Sequence, residues 1–250
     1  MCLLLFALDV IPGRPWLLLG NRDEFHARAS AAAAVWDDAA DIVGGRDLVA
    51  GGSWLALSRR GRFAAVTNVR VGGAARAARS RGELVGGFVG GSATPAEYTQ
   101  ALSTRVAEYG PFNLIVGDAH GAWGLSSTDA TPWRLEAGVH VVSNGPPAVW
   151  WPKARRLHAL FSHAVERGVP EDAALLDLLR DAAQPPEAEL PSTGVSPQLE
   201  RLLAPIFIRG EDYGTRASTL AYASANGDLV LHERRFGPHA TPLGESDLRF

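Results

Sequence analysis

The chain carries a single cysteine, Cys2, directly behind its first methionine. Cytosolic processing removes an initiator Met when the next residue is small, so the mature chain is expected to begin with Cys2. A thiol and a free α-amine then share one residue. The amine titrates near pH ~8, so at neutral pH an appreciable fraction can serve as base for its own nucleophile. Cysteine is the nucleophile that needs least help, because a modest pKa drop already gives useful thiolate. Taken alone, the residue reads as a small buried hydrophobe that caps a strand. Its surroundings must decide between the two.

Strand arithmetic supplies those surroundings. Residues 3–8 form a buried-strand run, Pro12-Gly13 marks a turn, and residues 16–19 return as a second strand. Such a hairpin brings residues 20–24 back beside position 2. Arg22 is then available to stabilise a thiolate or an anionic substrate group, and Asp23 to accept a hydrogen bond from the α-amine. Asn68 and Asn144 each follow an apolar run and stand at a strand end, where a side-chain amide is a suitable oxyanion donor for acyl transfer. Ordinary turn chemistry explains them too, above all Asn144 before Gly145. Arg216 opens a late strand and is a candidate second cation for substrate or thiolate.

The elements around these residues give the fold class. Short strands are predicted at 53–58, 63–68, 112–117, 122–126, 139–143, 218–223 and 229–235. Residues 26–41 and 72–81 read as loops, the second rich in Gly, Ala, Arg and Ser. Thr94-Pro95-Ala96-Glu97 is a capping box that opens a helix running toward Gly110. Further helices are predicted over 152–168, 170–183 and 197–203. Strands at both ends and helices in the middle, without βαβ alternation, favour an α+β layered fold with mainly antiparallel sheets.

Composition narrows the function classes. With 24 Lys plus Arg against 27 Asp plus Glu and no basic run, the chain lacks the electrostatic footprint of a nucleic-acid binder. One thiol forms no internal disulfide and nucleates no zinc site, and the seven histidines show no tight ligand spacing, so no metal is expected. The opening MCLLLFALDV lacks a basic flank and is interrupted by Asp9, so neither a signal peptide nor an integral membrane segment is expected. The expectation is a cytoplasmic protein whose residues 1–250 form one domain.

Read together, Met1-Cys2, Asn21-Arg22-Asp23-Glu24-Phe25, Gly44-Gly45-Arg46-Asp47, Gly51-Gly52-Ser53-Trp54-Leu55, Thr67-Asn68-Val69-Arg70, Phe112-Asn113-Leu114, Ser143-Asn144-Gly145 and Tyr213-Gly214-Thr215-Arg216 resemble one known family over nearly the whole chain, in order. It is the NRDE family, also called the transport and Golgi organisation protein 2 family, which is similar to N-terminal nucleophile hydrolases. The resemblance implies a four-layer αββα sandwich of two sheets flanked by helices. It matches Cys2 to the nucleophile, Arg22 and Asp23 to the Arg and Asp after the first hairpin, Asn68 and Asn144 to oxyanion-side asparagines, and Arg216 to a late arginine. Asn21, Glu24 and Arg70, inside the same motifs, are taken as substrate-binding candidates.

Two functions follow from it. One is an N-terminal-cysteine hydrolase acting on an amide, ester or thioester of a small acyl substrate, with no cofactor. The other is a non-catalytic binding and trafficking protein for haem or a lipid or acyl-CoA ligand, in which haem is a ligand. The sequence holds no haem motif.

Overall fold

The computed structural model describes residues 3–71 and 77–250. Cys2 and residues 72–76 of the expected 72–81 loop lie outside the described residues. β1 (Leu3–Ile11) and β2 (Arg14–Phe25) form the predicted hairpin, longer than the sequence pattern implied. Gly13 closes it with φ of +78°, the left-handed position that follows proline in a type II turn. β3 (Ser30–Trp36), β4 (Ala39–Asp47), β5 (Leu55–Ser58) and β6 (Arg62–Asn68) follow as a meander. Next come α1 (Gly82–Gly90), α2 (Pro95–Ser103), β7 (Phe112–Asp118), β8 (Gly121–Ser126), β9 (Trp133–Leu135) and β10 (Gly138–Val142). The chain closes through α3 (Pro152–Glu166), α4 (Asp172–Leu178), α5 (Pro197–Leu202), β11 (Tyr213–Ala223), β12 (Leu229–Phe236) and β13 (Pro242–Arg249).

Among the described residues the strands form two sheets, ordered β10-β1-β2-β11-β12-β13 and β3-β4-β5-β6-β7-β8-β9, with every pair antiparallel. Alternation along β1 explains its unbroken apolar sequence. Leu4 and Phe6 point between the sheets, toward Leu57, Phe63 and Ile115 of the second sheet. Leu3, Leu5 and Ala7 point the other way, onto Leu157 and Phe161 of α3 and Leu175 of α4. A strand covered on both faces needs apolar residues at both parities. The rings of Phe6 and Trp16 lie 5.2 and 4.4 Å from that of Phe63, so aromatic packing ties the sheets together. On the outer face of the second sheet, Ala64, Val66 and Leu114 meet Leu84, Val85 and Phe88 of α1. The layers are therefore helix, sheet, sheet, helix, the αββα arrangement expected.

Several local expectations need correction. Residues 26–41, read as a loop, contain β3 and the start of β4. β3 is the outermost strand of its sheet, and its alanines give little alternation signal although Ala33 and Trp36 are buried. α1 went unpredicted because Gly82, Gly86, Gly87 and Gly90 weaken a helical pattern. Two of those glycines permit close packing: a Cβ on Gly87 would stand 3.0 Å from the Tyr98 hydroxyl, and one on Gly86 3.6 Å from the Trp36 ring. α2 has the predicted capping box, with Glu97 N–H donating to Thr94 Oγ1 and the Glu97 carboxylate accepting from Thr94 N–H. It ends at Ser103, short of Gly110. β9 is too short and β13 too polar and exposed to show in the sequence.

Candidate functional site

The antiparallel register decides which residues meet at the start of β1. Leu3 lies opposite Asn21 on β2, and Leu4 opposite Val142 on β10. The chain therefore enters β1 between the Asn21-Arg22-Asp23 segment and the end of β10, which leads directly into Ser143-Asn144-Gly145. On the facing sheet, β6 ends at Asn68. Asn21, Arg22, Asp23, Asn68 and Asn144, five of the predicted site residues, thus gather at one end of the sandwich, on or just beyond β2, β6 and β10.

A buried hydrogen-bond clamp holds the Asn144 segment across the gap between the sheets. Thr67 Oγ1 donates to the carbonyl of Ser143 at 3.0 Å. Asn113 Nδ2 donates to the carbonyls of Ser143 and Gly145 at 3.1 and 2.9 Å, and Asn113 Oδ1 accepts from Ser126 at 2.7 Å. The Arg70 amide N–H adds a 2.7 Å bond to the Asn144 carbonyl. Within this frame the Asn144 amide nitrogen donates to the main-chain oxygen and to Oδ1 of Asn68, at 2.9 and 3.1 Å. The two predicted oxyanion amides are therefore in contact, and Asn144 serves Asn68. Behind them Lys153, on α3 and only 3% exposed, donates to Asn144 Oδ1 at 2.9 Å.

Asp23 is buried, and its Oδ1 accepts from the Thr215 hydroxyl at 2.7 Å. That hydroxyl in turn accepts from the Ile208 amide N–H at 2.9 Å, so β11 fixes the carboxylate rotamer. The Arg22 guanidinium lies over the Trp54 ring, 4.4 Å from its centroid. Trp54 keeps that position because residue 45 is glycine: a Cβ there would stand 2.2 Å from the indole. Burial pulls the Arg22 pKa below its ordinary value, Glu24 opposes the shift and Arg216 adds to it. A guanidinium is not deprotonated in proteins, so Arg22 is a buried cation.

Arg216 stands apart from the other candidates. Thr215 pairs with Asp23 and Ala217 with Arg22, so Arg216 is the extra residue of a β-bulge. The bulge turns its side chain onto the turn after β2, where Nη1 donates to the carbonyls of Phe25 and Arg28, both at 2.9 Å. It lines a pocket of about 140 Å3 shared with Arg22 and Glu233, away from Asn68 and Asn144. Asn21 stands apart as well: fully buried, it donates to the carbonyls of Leu179 and Ile206 and accepts from Ser218, a structural cross-link with no surface toward a ligand.

Two cavities meet at the site. One, of about 530 Å3, is mostly apolar, with Leu199, Leu202, Leu203 and Ile208 along its wall and Arg70, Asn144 and Lys153 at its inner end. The other, of about 860 Å3, is polar and includes Arg22, Glu24 and Trp54. Asp23, Phe25, Asn68 and Tyr213 belong to both linings and form the wall between them. Glu24 accepts from its neighbour Phe25 N–H, and Arg70 is ion-paired to Glu200 at 2.7 Å, so both border a cavity with a partner already in place. Lys153, Thr67, Asn113, Thr215 and Tyr213 were not singled out from sequence. All but Lys153 stand inside the motifs that carry the family resemblance, which is the signal by which they could have been found.

Two face-to-face antiparallel sheets between helix layers, with a polar cleft where β1 begins, define the N-terminal nucleophile hydrolase fold. The C2A mutant of conjugated bile acid hydrolase from Clostridium perfringens aligns with a TM-score of 0.57 and 9% identity, over 99% of this chain and 92% of its own. The Caenorhabditis elegans N-acylethanolamine-hydrolyzing acid amidase orthologue aligns with a TM-score of 0.53 and 14% identity, over 88% and 92%. At these identities the likeness is one of fold. The chain belongs to the transport and Golgi organisation 2 family, whose model matches residues 1–238. The homologues of Bos taurus and Homo sapiens are 34% and 33% identical, each over 94% of this chain and 92% of their own. No helix among the described residues is long and apolar enough to cross a membrane.

Proposed function

We propose that this protein is an N-terminal-cysteine hydrolase that cleaves an amide, ester or thioester bond of a small acyl substrate. The observation that carries the reading is the wall of Asp23 and Asn68 between an apolar and a polar cavity, at the end of the sandwich where β1 starts. With Met1 removed, the Cys2 thiol transfers its proton to the α-amine and attacks the acyl carbonyl. Asp23 orients the amine, and the Arg22 cation favours the thiolate. Side-chain amide N–H groups stabilise the oxyanion of the tetrahedral intermediate. Collapse breaks the bond to the leaving group, which takes the proton from the ammonium. Water, activated by the same amine, then adds to the thioester, and the carboxylic acid departs as the thiol is restored. The apolar cavity suits the acyl chain and the polar cleft the leaving group. The two solved structures are named as a conjugated bile acid hydrolase and an N-acylethanolamine-hydrolyzing acid amidase orthologue, which supports this direction.

The test is turnover of three dodecanoyl probes, an aminocoumarin amide, a nitrophenyl ester and an N-acetylcysteamine thioester. Release of product from at least one, falling to background in Cys2→Ala, is expected. Equal turnover by wild type and Cys2→Ala overturns the proposal.

A second reading, a non-catalytic carrier of haem or a lipid, draws on the same apolar cavity, where Leu199 and Leu202 remain 38% exposed. Among the described residues no histidine or methionine lines either cavity, whereas Tyr213, of another residue type that ligates haem iron, lines both. For the haem form of this reading, haemin titration must give a saturable, stoichiometric Soret shift.

A further inference from the structure

We infer that Lys153 is a positioning residue that sets the donor polarity of Asn68 through Asn144. The inference rests on the acyl-transfer reading above. A side-chain amide has a donor end and an acceptor end, and an isolated one is free to present either. An ammonium is a donor only. Lys153 Nζ, 2.9 Å from Asn144 Oδ1, therefore fixes which end of that amide is oxygen. The NH2 end of Asn144 must then face Asn68, where it donates to Oδ1 at 3.1 Å. That bond fixes the second amide in turn: Asn68 holds its oxygen toward Asn144, and its NH2 is the other end. Lys153 thus acts two residues away from the oxyanion, through a relay in which every polarity is determined by the one before it.

The position of Lys153 speaks against a purely structural role. It is the second residue of α3, at the positive end of a 15-residue helix, where a cation is disfavoured. It is also 3% exposed, and burying an ammonium is costly for stability. Besides Asn144 it donates to the Leu203 carbonyl at 3.4 Å, next to α5, whose residues line the apolar cavity. A methionine of similar length would fill the volume without either penalty. What methionine lacks is the directional donor. Lys153 also polarises the Asn144 amide, which strengthens the N–H groups that reach Asn68.

The test compares steady-state kinetics of Lys153→Met, Lys153→Arg, Asn144→Asp and the double variant Lys153→Met/Asn144→Asp on whichever dodecanoyl probe the wild type turns over. Concentrations are corrected by iodoacetamide titration of Cys2. Lys153→Met is expected to lower kcat about tenfold, a fraction of the loss from deleting an oxyanion donor outright, with KM changed less than about twofold. Lys153→Arg, again a donor-only cation, recovers most of that loss. Asn144→Asp keeps an acceptor for Lys153 but loses the donor to Asn68, so it falls about as far as Lys153→Met. The double variant is no slower than either single one, because both break the same relay.

A Lys153→Met protein with wild-type kcat per titrated thiol overturns the inference, even if its unfolding temperature drops. If Lys153→Met does not fold, Asn144→Asp at wild-type kcat overturns it instead. Equal wild-type and Cys2→Ala rates sink the hydrolase reading itself, which separates that failure from failure of the relay alone.

Discussion

Two polar clusters sit at opposite ends of the same pair of strands, β2 and β11, and they are built on different principles. At the Arg14 end, Arg14 pairs with Asp172 at 2.7 Å, Tyr222 donates its hydroxyl to Asp172 at 3.0 Å, and His232 stands 3.1 Å from Asp172 and 3.3 Å from Asp247. These polar groups are partly exposed and answer one another. At the Asp23 end the groups are more deeply buried and are held by directed hydrogen bonds, Thr215 to Asp23 and Lys153 to Asn144 to Asn68. There the cluster opens on two cavities. A set of charges that closes on itself holds a fold together, whereas polar groups aimed along one direction into a cleft are prepared for something that is not yet there.

Mutations can break or sharpen that contrast, and the largest effect belongs to the cleft. Asn68→Ala should lower kcat about 10²- to 10³-fold, the usual cost of losing an oxyanion donor, while the thermal unfolding midpoint stays near that of wild type. Thr215→Val comes next. It removes the hydroxyl that fixes Asp23 and satisfies the Ile208 N–H, so kcat should fall about tenfold and stability by about 1–2 kcal/mol in urea unfolding. At the other end the pattern should invert. Asp172→Ala should lower unfolding stability by about 1–3 kcal/mol, since it strips Arg14, Tyr222 and His232 of a shared acceptor, and leave kcat within about twofold. A kinetic loss in Asp172→Ala as large as that in Asn68→Ala would abolish the distinction.

The smallest effect is a pH dependence. Glu233 is 2% exposed and accepts from the Ala33 amide N–H, and desolvation raises its pKa above the ordinary 4.5 despite Arg235 and Arg22 nearby. The folded state therefore holds the Glu233 proton more tightly than the unfolded chain. Its contribution to stability is fully present below the unfolded pKa and is lost as pH rises through the folded one. Glu233→Gln keeps an acceptor for Ala33 and has no proton to lose. Its unfolding midpoint should gain on that of wild type as pH is raised from about 4 to 7. A constant offset across that range would contradict the assignment.

The sequence made the cleft end of the molecule more legible than its supports. Asn68 and Asn144 stand out as amides at strand ends, and the hairpin places Arg22 and Asp23 near the start of β1 by counting alone. The aim of Arg216 is hidden in the sequence because a β-bulge is set by the pairing of two distant strands, and one extra residue re-aims the side chain. Asn21 carried no mark to distinguish an inward-facing cross-link from a ligand contact, since parity along β2 is visible only once the α4 and 206–208 segments cover it. Lys153 was hidden for a similar reason: in Pro152-Lys153-Ala154-Arg155-Arg156 it reads as one more surface cation of an amphipathic helix. Its burial depends on residues beyond α5, whose Leu203 carbonyl it reaches. β3 and α1 were lost to alanine and glycine, which fit close-packed layers and leave almost no periodic signal.

The central claim is that Cys2 acts with its own free amine. Intact-mass spectrometry of the purified protein, before and after brief mixing with the dodecanoyl thioester, tests this most directly. The account predicts that most molecules lack Met1 and that acid-quenched samples carry one dodecanoyl group on Cys2, absent in Cys2→Ala. Retention of Met1 in nearly all molecules of a preparation that still turns the probe over would contradict it.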